Sequence, residues 1–154
     1  MQLSRFTDYS LRVLLYTAVH SDRLTTLAEV ADFFDVSLEH LRKVVHAMSK
    51  SGDLKTYRGK HGGFTLGKPA DEINIGKIIA QSEKQGNLID CSGQHCRLDG
   101  QCSLQPILWE AKQAFMSVLE RYTLADLLDY PEMRQTLIAT DLFHEAPIPQ
   151  AANG

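Results

Sequence analysis

The sequence contains no run of about 18 uncharged apolar residues, and its first stretch, MQLSRFTDYS, becomes polar within four residues. These absences predict neither a membrane span nor a secretory signal, so we expect a cytoplasmic protein. Cysteine is also scarce, since the 154 residues include only three. In a reducing compartment an odd, clustered set of thiols disfavours structural disulfides and is more typical of metal binding or redox chemistry.

Positive charge is concentrated in the N-terminal half. The formal net charge is -3, yet residues 1–68 contain ten lysines and arginines against seven acidic residues, whereas residues 69–154 contain six against twelve. Between residues 41 and 61, six basic residues accompany a single acidic one, Asp53. This distribution favours contact with a polyanion such as nucleic acid, and a solvated charged face is the alternative interpretation.

Apolar spacing predicts three helices followed by a β-hairpin. The predicted limits are residues 4–20, 26–34 and 37–52 for the helices and 54–58 and 64–66 for the strands. Thr26-Leu-Ala-Glu29 is a capping box that starts the second helix, and Ser37 is a candidate N-cap for the third. The predicted fold class is therefore mainly α with a small β-hairpin wing, a winged helix-turn-helix.

A long helix is predicted at residues 103–122, between a shorter one at 75–83 and a terminal one after Thr123. Its apolar residues alternate in steps of three and four, as in a dimerisation helix, at Leu108, Ala111, Phe115, Val118 and Tyr122. A homodimer is the expected consequence, and packing of this stripe on its own domain is the alternative. The predicted divisions are a DNA-binding domain (1–68), a connecting helix and cysteine loop (69–103), a dimerisation helix with a C-terminal helix (104–142) and a disordered tail (143–154).

The exposed face of the third helix and the tip of the wing form the candidate DNA-reading surface. A recognition helix lies in the major groove and presents polar side chains to phosphates and base edges. The candidates are Ser37, Glu39, His40, Arg42, Lys43, Arg58, Lys60 and His61. Glu39 has an alternative interpretation as a first-turn acid favoured by the helix dipole. A two-fold dimer predicts a double-stranded, near-palindromic operator.

The three cysteines, Cys91, Cys96 and Cys102, form a C-x4-C-x5-C pattern in a loop that contains glycines. Three thiolates without a fourth favour an iron–sulfur cluster, either 2Fe–2S or 4Fe–4S, with one labile corner. Zinc is an alternative, although it prefers four ligands and only His95 lies nearby in the sequence. A reactive thiol is another, although no activating partner is evident. Lacking such a partner and any second cofactor motif, the chain is not expected to be an enzyme.

Three stretches together resemble the nitric-oxide-sensing repressors of the Rrf-type winged-helix family. They are MQLSRFTDYSLR, GKHGGFTLGKPADEINIG, and the cysteine loop followed by YTLADLL, and the resemblance covers about residues 1–130. It implies a homodimeric repressor whose iron–sulfur cluster reacts with nitric oxide and then releases promoters of nitrosative-stress genes. Loss of the cluster bridge would change the spacing of the two recognition helices.

The resemblance also implies a fourth cluster ligand. In a similar protein it is an aspartate from the first helix of the partner subunit, and Asp8 is the matching residue here. A helix first-turn acid is the alternative interpretation of Asp8. The iron–sulfur regulators of the IscR type are similar in the winged helix but use a histidine three residues beyond the third cysteine, where this chain has Gln105. An IscR-type or redox-responsive regulator and a zinc-stabilised winged-helix regulator are the alternative functions.

Overall fold

The computed structural model describes residues 2–83, 88–89, 91, 96–98 and 100–139. It is mainly helical with one antiparallel hairpin, which confirms the predicted fold class. The helices are α1 (Arg5–Val19), α2 (Leu27–Phe34), α3 (Leu38–Lys50), α4 (Ile75–Ser82), α5 (Leu104–Leu119), α6 (Leu124–Leu128) and α7 (Pro131–Ile138). The strands are β1 (Leu54–Tyr57) and β2 (Gly63–Leu66), and a short 3-10 turn spans Ala70–Glu72.

The helix-turn-helix owes its limits to local capping. The predicted capping box is formed in full, because the Thr26 side chain accepts from the Glu29 backbone N–H and the Glu29 carboxylate accepts from the Thr26 backbone N–H. Asp35 ends α2 with a left-handed backbone (φ 50°), a conformation that aspartate tolerates better than most residues. Ser37 lies at the N-cap of α3, as predicted, although its side chain makes no capping hydrogen bond.

The hairpin is short and is attached to the rest of the domain through β2. Leu54 pairs with Leu66 and Tyr57 with Gly63, which fixes the register over four residue pairs. Phe64 also exchanges two backbone hydrogen bonds with Thr25, at 2.9 and 2.8 Å, so β2 is joined to the segment before α2. The outer part of β1 is exposed.

Two segments far apart in sequence hold α4 and α5 together. The Asn74 side chain caps α4 by accepting from the Lys77 backbone N–H, and its amide group donates to the Glu120 carbonyl at 2.7 Å. Ile75 N–H donates to the Tyr122 carbonyl at 2.9 Å. A Cβ on Gly76 would lie 2.5 Å from Glu120 Cγ and 2.8 Å from its backbone nitrogen, so the two helices touch at backbone distance.

The hydrophobic core joins residues from both ends of the chain. Val13 and Leu14 of α1 and Leu41 of α3 are fully buried, and Leu124 of α6 belongs to the same cluster. The sequence predicted one terminal helix after Thr123; the structure has two, because Pro131 fits the first turn of a new helix, α7. No helix among the described residues is long and apolar enough to cross a membrane. The predicted tail at 143–154 lies outside the described residues.

Candidate nucleic-acid interface and cysteine loop

The outer face of α3 presents every predicted reading residue of that helix to solvent. Its inner face is buried through Leu41, Val44, Val45 and Met48. Because these apolar residues fix the rotation of the helix, the polar residues Ser37, Glu39, His40, Arg42 and Lys43 are exposed. Leu38 continues the same apolar spacing, which predicts that it also faces inward, but it lies in the first turn of α3 and is 45% exposed.

Glu39 and Arg42 form an ion pair on this face, one helical turn apart. Their side chains are 69% and 62% exposed. An ion pair so exposed contributes little to stability, because water screens it and holding two long side chains costs entropy. Arg42 can therefore exchange its partner for a phosphate at small cost.

The wing tip places Arg58, Lys60 and His61 in solvent. Two glycines shape this turn. Gly59 has a backbone φ of 115°, which residues other than glycine rarely adopt. A Cβ on Gly62 would lie 2.4 Å from the Tyr57 carbonyl oxygen. The tip can thus bend tightly and project three basic or imidazole side chains beyond the hairpin.

Asp8 lies in the first turn of α1, and its side chain is 45% exposed. Its carboxylate accepts from Arg12 Nε at 2.9 Å, and the Arg12 guanidinium lies 5.4 Å from the centre of the Phe34 ring. The neighbouring Tyr9 contacts His40 of α3, with ring centres 6.0 Å apart. The turn that bears Asp8 is therefore in contact with the predicted recognition helix, and no local sequence pattern indicates this contact.

Among the described residues, Cys91, Cys96 and Cys102 form no disulfide. Cys91 and Cys102 are half-buried and Cys96 is exposed. Beside Cys91 lies a cavity of about 330 Å³, lined also by Gln105, Trp109 and Lys112. Soft thiolates suit iron–sulfur clusters and zinc, so the donor chemistry fits the predicted metal. Within the described ranges, however, no three histidine, cysteine or acidic side chains are grouped closely enough to hold a metal ion. His95 lies outside the described residues.

Glu83 makes a contact that no local sequence pattern predicts. It ends α4, and one carboxylate oxygen accepts from Ser4 N–H at 2.7 Å and from the Thr7 hydroxyl. Burial raises the pKa of Glu83, but these hydrogen bonds outweigh it and hold the pKa below its ordinary value of 4.5. The contact joins the residue that precedes the cysteine segment, residues 84–102, to the N-terminus of α1, across 79 positions in sequence.

Comparison with known proteins gives a consistent set of relatives. The family model Rrf2, described as an iron-dependent transcriptional regulator, matches residues 3–130. The HTH-type transcriptional regulator NsrR of Oceanobacillus iheyensis is 44% identical over 136 residues, covering 86% of this chain and 92% of the relative. The NsrR of Halalkalibacterium halodurans is 41% identical, covering 90% and 97%. Among solved structures, CymR, the global cysteine regulator of B. subtilis, superposes with a TM-score of 0.70 at 26% identity, covering 84% of this chain and 98% of that one.

Proposed function

This chain belongs to the Rrf2 family of iron-dependent transcriptional regulators, and we propose that it is a homodimeric repressor that senses nitric oxide through an iron–sulfur cluster. Members of this family bind DNA and regulate transcription; they are not enzymes. The proposed signal, cluster and dimer go beyond the family assignment. The signal rests on the resemblance to nitric-oxide-sensing repressors, whereas the cluster and the dimer are each supported by a different part of the molecule.

The DNA-binding role is supported by the charge and exposure of α3 and the wing tip. Arg42 and Lys43 on the helix and Arg58 and Lys60 on the wing are exposed. Basic side chains at these positions can neutralise phosphates on both sides of a major groove occupied by α3. Binding by such contacts weakens steeply as salt rises, because each phosphate contact releases condensed counterions.

The dimer is supported by the uncovered face of α5. No residue of this 16-residue helix is buried. Met116 and Leu119 pack against the core, whereas Ile107 is 60%, Trp109 59% and Val118 44% exposed. Within the predicted stripe, Val118 and Tyr122 (45%) are exposed, so the stripe does not fold back fully on its own domain. Burying such side chains against a second copy would stabilise a dimer by about 1.5–3 kcal/mol for each large residue.

The proposed metal ligands are Cys91, Cys96, Cys102 and, from the partner subunit, the residue equivalent to Asp8. The exposed carboxylate of Asp8 is accessible to a second chain once its ion pair with Arg12 is exchanged. A bound cluster would supply iron that reacts with nitric oxide.

The chain's own contacts suggest how the two sites communicate. Glu83 fixes the start of the cysteine segment to Ser4 and Thr7, and one residue beyond Asp8 the Tyr9 ring contacts His40. We infer that a shift of the first turn of α1 alters the position of α3. A coupling of about 1–3 kcal/mol would change DNA affinity about 5- to 150-fold.

The test begins with anaerobically purified protein, which should be coloured and contain acid-labile sulfide. It should shift a labelled duplex that it selects from a randomised library, and it should lose that shift on addition of nitric oxide. Cys96→Ser should be colourless, whereas Ser103→Ala, a matched change in the same loop, should not differ from wild type. Colourless wild-type protein containing zinc would establish the zinc-stabilised alternative, and a shift insensitive to nitric oxide would disprove the sensor.

The assignment of Asp8 can be tested by mixing chains. A homodimer of Asp8→Ala lacks one proposed ligand at both cluster sites, and so does a homodimer of Cys96→Ser. If Asp8 acts in the partner subunit, a mixed dimer contains one complete site, because the chain with intact cysteines receives Asp8 from the other. Mixed dimers should then regain about half of the wild-type absorbance. No gain on mixing, after exchange of subunits has been confirmed with two affinity tags, would place the ligand elsewhere.

A further inference from the structure

We propose that three residues at the inner end of the hairpin, Ser51, Asp53 and Lys68, position the wing for DNA contact. We call them the wing-base cluster. They do not touch the nucleic acid in this proposal; they act through Arg58 and Lys60 at the wing tip. The inference rests on the proposed function, because it assumes that the wing tip contacts DNA.

The wing-base cluster joins three elements at one carboxylate. Asp53 Oδ1 lies 2.8 Å from Lys68 Nζ, just after β2, and Asp53 Oδ2 accepts from the hydroxyl of Ser51, the C-cap of α3. The backbone continues the connection, since Asp53 N–H donates to the Met48 carbonyl at 3.0 Å and Gly67 N–H donates to the Asp53 carbonyl at 2.8 Å. The end of the recognition helix and both ends of the hairpin therefore meet at Asp53.

The burial of this ion pair sets it apart from those on the surface. The Asp53 side chain is 4% exposed and the Lys68 side chain 36% exposed. A buried carboxylate that lost its partner would be costly, so the pair holds its geometry more firmly than the exposed Glu39–Arg42 pair does. The space is also tight, because a Cβ on Gly67 would lie 2.1 Å from the Gly52 carbonyl oxygen.

A positioning role agrees with the small size of the hairpin. Each strand has four residues, and β1 is exposed from Lys55 to Tyr57. Leu54 and Phe64 anchor the hairpin in the apolar core, and Phe64 also pairs with Thr25, so the wing-base cluster adds a polar attachment to an apolar one. Asp53 is also the only acidic residue between positions 41 and 61. A carboxylate in a DNA-binding region would repel phosphates unless it were neutralised, and Lys68 neutralises it here.

The sign of one substitution separates positioning from simple electrostatics. Asp53→Asn removes a negative charge, so electrostatics alone predicts tighter DNA binding. Loss of the ion pair lets the wing move, and the wing must then be ordered on binding. We expect affinity about fivefold weaker, equivalent to roughly 1 kcal/mol. Lys68→Met, which breaks the same pair from its more exposed side, should weaken binding similarly, whereas Lys77→Met, the same change on the exposed surface of α4, should have little effect.

The experiment is a double-mutant cycle with the full-length, anaerobically purified protein and a fluorescein-labelled duplex selected by the wild type. Asp53→Asn and Lys68→Met are measured alone and combined with Arg58→Ala/Lys60→Ala. If the cluster acts through the wing tip, neither weakens binding further in the combined variants. A merely structural defect would lower affinity equally in both backgrounds and would overturn the proposal.

Three other results would also overturn the role of the wing-base cluster. They distinguish its failure from a failure of the proposed repressor function. Unchanged or tighter binding by Asp53→Asn and Lys68→Met would reject the wing-base cluster while leaving the repressor intact. Wild-type affinity in Arg58→Ala/Lys60→Ala would show that the wing tip does not contact DNA. Failure of the wild type to select any duplex would disprove the proposed function itself, and this inference with it.

Discussion

Replacing Glu83 tests the contact between the cysteine segment and the first helix. Its carboxylate accepts two hydrogen bonds, from Ser4 N–H and from the Thr7 hydroxyl. Hydrogen bonds to a charged acceptor are typically worth about 1.5–3 kcal/mol each. Two features reduce the loss: water can reach the half-exposed Glu83, and the Thr7 hydroxyl keeps the Ser4 hydroxyl as a second partner at 3.0 Å. We therefore expect Glu83→Ala to lower the free energy of unfolding by about 2 kcal/mol.

The pH dependence of stability is a second test of the Glu83 contact. Because hydrogen bonds lower the pKa of Glu83 below 4.5 in the folded protein, the contribution is fully present above pH 4.5 and is lost as pH falls through the folded pKa. Urea unfolding of wild type and Glu83→Gln, at equal protein concentration, should give a difference in stability that shrinks as the pH is lowered through this range. Glu29 and Asp126 also have lowered pKa values, but both are present in the two proteins, so their contributions cancel.

A double-mutant cycle assigns the energy to the contact. Thr7→Val removes the hydroxyl with little change in volume, and Thr7→Ser is the control that retains it. We expect Thr7→Val and Glu83→Gln together to cost less than the sum of the two single changes, because both remove one interaction. Strictly additive effects, or a stability difference that does not vary with pH, would refute the reasoning and leave Glu83 as an ordinary surface residue.

Two further substitutions test local features of the fold. Thr26→Ala should cost about 1 kcal/mol of unfolding free energy, because it removes the capping box with Glu29, whereas Thr26→Ser should cost much less; equal stability of the two variants in urea would disprove the cap. Gly76→Ala should destabilise by about 1–3 kcal/mol despite the higher helix propensity of alanine, because the new Cβ meets Glu120; a rise in the thermal midpoint would show that the helices are not in backbone contact.

The sequence predicted the N-terminal part of the fold well because its signals are local. The capping box at Thr26 and Glu29, the apolar spacing of α3 and the glycines of the wing each determine structure over a few residues, and the observed elements follow them closely. The first strand was predicted at 54–58, and the observed strand ends one residue earlier, at Tyr57. The eight predicted DNA-contacting residues all lie on the exposed surface, and their contacts with DNA stay a prediction.

The remaining contacts could not be predicted because they join residues distant in sequence or residues of two chains. Nothing in the sequence around Glu83 indicates that it meets Ser4, and Asp53 and Lys68 are ordinary charged residues until the hairpin brings them together. Leu38 was assigned to the buried stripe because helical spacing alone cannot show where the core ends. The ligand role of Asp8 came from resemblance, since one acid in a helical first turn has no distinguishing pattern.

The burial of Leu124 in the core of the DNA-binding region determines when that core can form during synthesis. Its side chain is fully buried in the cluster that contains Leu14, and its N–H donates to the Ile73 carbonyl at 2.8 Å. The core beneath the reading head is therefore complete only once residue 124 has left the ribosome, although N-terminal regions usually fold first. A nascent fragment that stops within α5 lacks Leu124, so its recognition helix would rest on an incomplete apolar core.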